Sequence, residues 1–271
     1  MFEFTCNKLT DRVTQIVDPT GVSCFLVQGN DQAVLIDTAV GFKGLKDTVK
    51  KLTDLPLEVI LTHAHGDHAG GAGEFEEVYL HPADQSLLKV HGLEKRMGYA
   101  CAMMGPDVKL TEDLFVPEPE MEFKELYDGQ LFSLGGLTLR IIHVPGHTKG
   151  SCCVLLMEER SILYGDACNG NTLIMDEAST TISEYKKSLE YLKTFDGDYD
   201  TVYYSHGPAV GSRECLEDNL ELCDRILSDT DDAVECEFMG RPAVRAAKIQ
   251  GHFERVDGRY GNIVYSDLTK K

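Results

Sequence analysis

Four side chains that bind metals well, His63, His65, Asp67 and His68, stand within six residues of one another. Imidazole and carboxylate are both ligands that zinc accepts. Histidines two apart project from the same side of an extended segment, and Gly66 lets the chain turn before Asp67 and His68. The apolar run Val59-Ile60-Leu61 leads straight into Thr62 and this cluster. Polar groups delivered to the end of a buried strand are costly to leave unpaired, and a bound cation offsets that cost. Three later segments repeat the pattern of a polar residue directly after an apolar strand. His147 follows Ile141-Ile142-His143-Val144, Asp166 follows Ile162-Leu163-Tyr164-Gly165, and His206 follows Val202-Tyr203-Tyr204-Ser205. Each has a glycine neighbour, Gly146, Gly165 or Gly207, which lets backbones crowd around a shared centre. A metal held this way lowers the pKa of its water from about 15.7 to about 7. Hydrolysis is therefore the chemistry expected.

The elements that must position these residues are legible from periodicity. Residues 22–27 and 33–36 are apolar runs joined by Gln28-Gly29-Asn30-Asp31, which reads as a hairpin ending at Asp37. Residues 42–53 have a helical period, with Leu45, Val49 and Leu52 on one face and lysines on the other. A strand at 78–80 precedes His81-Pro82-Ala83-Asp84, which opens a helix to about residue 90. Residues 92–120 carry Gly98, Met103, Met104, Gly105, Pro106, Pro117 and Pro119 and read as an insertion, helical in part, lying over the site. Strands are expected at 130–132, 137–144, 152–157, 161–164 and 201–204, and helices at 183–194 and 212–227. Mixed strands and helices of this kind point to a layered α/β domain.

Composition narrows the function classes. The 271 residues are 42% hydrophobic and 26% charged, as in an ordinary globular protein. A net charge of −19 repels phosphate backbones, so nucleic acid is not an expected partner. No stretch approaches the roughly 18–20 apolar residues that span a bilayer. The N-terminus lacks the features of a signal peptide, and nine cysteines without a CxxC pair suit a reducing compartment. A cytoplasmic location is the expectation.

The ordered set His63-Ala64-His65-Gly66-Asp67-His68, His147, Asp166 and His206 resembles the metallo-β-lactamase superfamily over roughly residues 20–210. Leu35-Ile36-Asp37-Thr38, the run from Val144 through His147 to Ser151, and Tyr164-Gly165-Asp166 are similar to the glyoxalase II-like (hydroxyacylglutathione hydrolase-like) branch. The resemblance implies a four-layer αββα sandwich with metals at one edge, over residues 1–211. Residues 212–271 are then expected to be a helical extension packed on the same domain, serving packing or dimerisation. The resemblance also implies ligand roles: His63, His65 and His147 for a first metal, Asp67, His68 and His206 for a second, and Asp166 as the bridge. Asp37 would orient the site. Two zinc ions per chain are expected, with iron or manganese also compatible.

The expected reaction is attack by a metal-bridging hydroxide on a small thioester, ester, lactone or amide, with Asp67 also shuttling a proton. The alternatives are a mononuclear iron persulfide dioxygenase, needing only His63, His147 and Asp166, and a small-molecule phosphodiesterase. A non-catalytic binder and an exported β-lactamase are disfavoured, by the intact ligand set and by the lack of a signal respectively. His81, His91, His143 and His252 lack motif context and read as surface or core residues. Cys168 reads as packing, and Lys149 and Asn169 as bystanders near the site. Met103 and Met104 suit either an adaptable pocket or a core.

Overall fold

A computed structural model of the chain describes residues 2–120, 122–251 and 254–271. Strands β1 (Thr5–Lys8), β2 (Val13–Val17), β3 (Ser23–Gln28) and β4 (Ala33–Ile36) pair antiparallel. Helix α1 (Leu45–Leu52) crosses over to the parallel strand β5 (Leu57–Ile60). The one-turn helix α2 (Gly66–Ala69) follows, then β6 (Val78–Leu80) and the helices α3 (Gln85–Leu88) and α4 (Leu93–Met104). Strand β7 (Lys124–Glu125) closes a seven-stranded sheet in chain order.

A second sheet starts with β8 (Leu131–Ser133), β9 (Thr138–His143), β10 (Cys152–Leu156) and β11 (Ser161–Gly165). After β12 (Thr172–Ile174) and helix α5 (Ile182–Lys193), β13 (Thr201–Tyr204) and β14 (Val210–Gly211) complete it in the order β14-β13-β11-β10-β9-β8. Helix α5 begins at a capping box. The Thr181 hydroxyl accepts from the Glu184 N–H at 3.2 Å, and Glu184 accepts from the Thr181 N–H at 3.0 Å.

The layers follow from the two-residue period of the strands. On β3 and β4, Phe25, Val27, Val34 and Ile36 join a core with Leu139, Ile141, Cys152, Val154 and Leu163 of the second sheet. The alternate residues Cys24, Leu26, Ala33 and Leu35 face the other way, onto Leu45 and Val49 of α1. On the second sheet, Cys153, Leu155, Ile162 and Tyr164 pack against Tyr185, Leu189 and Leu192 of α5. Two sheets face to face with helices on both outer faces make the expected αββα arrangement.

The expectation of a helical tail needs correction. Helix α6 (Cys215–Leu227) does begin it and packs beside α5, but strands follow. They are β15 (Val234–Phe238), β16 (Arg241–Arg245), β17 (Ile249–Gln250), β18 (Glu254–Arg255) and β19 (Ile263–Tyr265). With β12 they form a third sheet, β12-β19-β16-β15, while β17 and β18 pair separately. The physical cause lies in Val234-Glu235-Cys236-Glu237-Phe238, whose burial alternates along a half-exposed strand. Met239 (φ 48°) and Gly240 (φ 78°) then form the tight left-handed turn that a two-residue hairpin needs. Ala246, Ala247, Ile263 and Tyr265 share the α5–α6 core.

The remaining strands not anticipated are β1 and β2 at the start of the chain and β7, β12 and β14, the last three only two or three residues long. His252 lies outside the described residues. No helix among the described residues is long and apolar enough to cross a membrane.

His81 and His143 stack at the surface with ring centroids 3.9 Å apart and planes 12° from parallel. Burial first, and then the His143 ring, push the His81 pKa down from 6.5 to about 4, against the pull of Asp128. A histidine whose folded pKa is depressed favours the fold above its unfolded pKa, and that advantage is lost as pH falls from 6.5 towards 4. His81→Asn keeps an acceptor for the Ala83 N–H that His81 Nδ1 now serves. The melting temperature of the wild type is therefore expected to fall more steeply between pH 7 and 4.5 than that of the variant. Parallel slopes in thermal melts would refute this.

Candidate metal centre

Strands β9 and β10, and β10 and β11, are antiparallel, whereas β11 and β13 are parallel. The C-terminal ends of β9, β11 and β13 therefore meet at one edge. There they deliver His147, Asp166 and His206. The loop after β5 brings His63 and His65 to the same place, and α2 carries Asp67 and His68 in its single turn. Gly165 (φ 54°) lets the end of β11 close on Thr62, whose hydroxyl lies 3.0 Å from where a Cβ would stand.

Three sets of ligand atoms result, each with all members within 4.8 Å of one another. They are His63, His65 and His147; His63, His68 and Asp166; and Asp67, His68 and His206. Asp166 Oδ2 is 3.6 Å from His147 Nε2, 3.6 Å from His68 Nε2 and 3.4 Å from His206 Nε2. His206 Nε2 is 3.5 Å from Asp67 Oδ2. Ligands about 2.0–2.1 Å from a tetrahedral ion stand about 3.3 Å apart, so these spacings suit metal coordination.

Two of the rings are aimed by their far nitrogens. His68 Nδ1 donates to Asp37 Oδ2 at 2.9 Å, and His147 Nδ1 donates to the Leu173 carbonyl at 2.8 Å. That leaves both Nε2 atoms turned to the centre. Asp37 is itself fixed by the Thr62 N–H at 2.7 Å. Two polar atoms, His63 Nε2 and Asp166 Oδ1, are buried with no protein partner. Buried polar atoms are normally satisfied, and a cation at the centre would satisfy both. The donor set fits a metal.

Electrostatics divide the centre in two. Burial, then the rings of His68, His65 and His147, hold the His63 pKa well below the usual histidine value, and burial and His147 do the same for His65. Both rings thus offer free lone pairs near neutral pH. Burial also works against the His68 cation, but the carboxylates of Asp166, Asp67 and Asp37 together hold its pKa well above the usual value. Burial would raise Asp166, yet His206 and His68 keep it well below the carboxylate range. The side chain of His206 is 34% exposed and that of His68 is fully buried. The centre therefore opens on the His206 side.

The model of the family described as "Metallo-beta-lactamase superfamily" matches residues 17–206. The chain belongs to this superfamily. An atrochrysone carboxyl ACP thioesterase of Claviceps purpurea is 27% identical, over 75% of this chain and 59% of its own length. The acyl-coenzyme A thioesterase MBLAC2 of Gallus gallus is 28% identical, over 62% of this chain and 65% of its own. The chain thus spans less than two thirds of either curated relative. Among solved structures, TTHA1623 in a di-iron-bound form has a TM-score of 0.54 and 27% identity, covering 76% of this chain and 94% of that one.

All seven residues singled out as metal ligands come together. Cys168 does not join them. Its thiol is buried in the α5–α6 core and accepts from Asn219 Nδ2 at 3.5 Å. Lys149 Nζ donates to the Glu177 carbonyl, and Asn169 Oδ1 accepts from the Asn171 N–H within its own loop. Met104 packs inward, while Met103 is exposed.

Sequence reasoning missed the contributions of His91, Arg96 and Tyr99. The His91 ring lies 4.7 Å from that of His65, and its Nδ1 accepts from the Gly66 N–H at 3.3 Å. Burial, then the carboxylates of Asp67, Asp166 and Asp18, raise the pKa of Tyr99, so its phenol stays protonated beside Asp67. Arg96, 3% exposed, donates to the carbonyls of Val40 (3.2 Å), Gly70 (3.0 Å) and Val116 (2.8 Å). It clamps α4 to the end of the ligand-bearing turn. No pattern in the sequence marks these three residues.

Hydrogen bonds to a charged group are worth about 1.5–3 kcal/mol each, and orphaned acceptors add to the loss. Arg96→Met is therefore expected to lower stability by at least about 2 kcal/mol in denaturant unfolding. An unchanged midpoint would show that the clamp is idle.

Proposed function

We propose that this chain is a metal-dependent thioesterase that holds two metal ions, zinc being the first expectation, and cleaves the acyl thioester of a carrier such as coenzyme A or an acyl carrier protein. The observation that carries the reading is the position of Asp166 Oδ2, 3.4–3.6 Å from ring nitrogens on both sides of the centre. His63, His65 and His147 would hold one ion, Asp67, His68 and His206 the other, with Asp166 between them. When bound, such ions supply a water-derived nucleophile at neutral pH and polarise a carbonyl.

The chain's own residues do the rest. Asp37 and the Leu173 carbonyl fix which nitrogen of His68 and His147 faces inward. Asp67, at the open side with His206, is placed to carry a proton towards the departing thiol. Tyr99 has a phenolic proton to offer Asp67. Thioesters lead over other esters, lactones and amides because the relatives are named as thioesterases. The glyoxalase II-like resemblance makes glutathione thioesters a further member of the class. A mononuclear iron dioxygenase would leave Asp67, His68 and His206 without a task, which disfavours that reading.

Elemental mass spectrometry of protein purified without added metal is expected to find about two ions per chain. Thiol release from acyl-coenzyme A should then accompany metal loading and stop on chelation. Asp166→Ala is expected to lose metal, and to lose kcat/KM by more than the ~10–100-fold typical of an outer-shell change. The reading fails if the metal-replete protein releases no thiol from coenzyme A, carrier-protein or glutathione thioesters.

A charge of −19 repels an anionic carrier at long range. The screening length shrinks from about 30 Å at 0.01 M salt to about 8 Å at 0.15 M. KM for acyl-coenzyme A is therefore expected to fall as salt is raised across that range, while a neutral thioester stays unaffected. A KM for acyl-coenzyme A that rises with salt would point instead to a local cationic docking site.

A further inference from the structure

Asp84 is a buried carboxylate, 1% exposed, that the chemistry above does not use. It stands between β6 and α3, behind Pro82. All its partners lie on the two loops that carry the first set of ligands. Oδ2 accepts from the Ala64 N–H at 3.1 Å and from the Thr148 hydroxyl at 2.7 Å, and Oδ1 accepts from the Gly150 N–H at 2.7 Å. Ala64 sits between His63 and His65, and Thr148 follows His147. Ser151 extends the network, since its Oγ accepts from the Thr148 N–H at 3.0 Å and lies 2.8 Å from the Thr148 hydroxyl. At Gly150 a Cβ would stand 2.6 Å from Asp84 Cγ, so any side chain there would displace the carboxylate.

The partner set is unusual in its chemistry. Asp84 faces three donors, and no ion pair to it exists among the described residues. A buried charge without a counter-charge is costly. An acceptor-only group is required here, because an asparagine amide would turn its NH2 towards one of the three donors. The first ligand set is also the one that needs a brace. His63 and His65 come from one loop and His147 from another, 82 positions further on from His65. Metal ligands must be held within about 0.5 Å of productive geometry.

We infer that Asp84 is a positioning residue that braces the His63–His65 loop against the His147 loop and so sets the affinity of the first metal position. Asp37 does the corresponding work for the second position through His68. The inference rests on the two-metal reading above.

The test is metal titration against a chromophoric chelator on the full chain, as wild type, Asp84→Asn, Thr148→Val and Asp218→Asn. Asp218 is the control for general destabilisation: a buried carboxylate that accepts from the Tyr260 and Gly261 N–H groups, far along the chain from either loop. Circular dichroism and melting of each metal-free protein accompany the titration. Wild type should take up two zinc equivalents. Asp84→Asn should weaken one of them by about 10–100-fold, the size of other outer-shell effects, and leave the second unchanged. Thr148→Val, which removes one of the three bonds, should weaken the same equivalent several-fold. In the cobalt-loaded protein the absorption of one position should shift. Asp218→Asn should lower the melting temperature with both affinities intact.

Wild-type affinity at both positions in Asp84→Asn and Thr148→Val would overturn the inference, and Asp84 would then be a fold-stabilising residue only. Should Asp84→Asn fail to fold, Thr148→Val decides alone, and unchanged affinities in it overturn the inference. A wild type that binds no metal would overturn the metal-centre reading, and the brace with it.

Discussion

Five imidazoles and two carboxylates converge at one end of the sandwich, where His63, His68 and His147 are almost wholly removed from water. Each of these groups alone would be better solvated outside. The rest of the molecule is arranged so that the crowd is tolerable. Two of the rings are kept neutral by burial and by each other, and two are held near carboxylates that favour their charge. The result is a set of side chains already facing inward, so that a cation entering the centre displaces protons from His68 and His206 with little movement of the rings.

That convergence explains why the scaffold is a double sheet. The seven-stranded sheet supplies the His63–His68 segment from a parallel strand end. The six-stranded sheet supplies His147, Asp166 and His206 from three strand ends on one edge. Neither sheet alone holds enough ligands for either half of the centre. The apolar core between them, built from Phe25, Ile36, Ile141, Leu163 and their neighbours, keeps the two ligand groups at a fixed separation. Close-packed interiors of this kind deform little, which is what a metal site demands of its support.

Around this frame the insertion and the tail contribute unequally. The insertion and the residue before it touch the centre through Tyr99 and His91, and Arg96 clamps the insertion to the turn behind it. The tail reaches it less directly, by packing Ile263 and Tyr265 into the core under α5 and by pairing β19 with β12, whose Leu173 carbonyl orients His147.

From the sequence alone came the family, the side chains that the fold gathers at one edge, and the larger elements. His63, His65, Asp67 and His68 are neighbours in the chain, and Leu45, Val49 and the strand cores announce themselves by local period. The element order pointed to a layered α/β domain, and the family resemblance implied its αββα layering. Only the tertiary structure decided the rest. Asp84 matters because Ala64 and Gly150, far apart in sequence, both point N–H groups at it. His91, read as an ordinary surface or core histidine, matters because the turn that ends in it folds back on Gly66. In the tail, β15 carries a two-residue period, but β17, β18 and β19 are only two or three residues long and β19 finds a partner in β12, far back in the chain. A local pattern reports what a segment can become, whereas a brace, a clamp or a sheet edge is defined by contacts that exist only once distant segments have met.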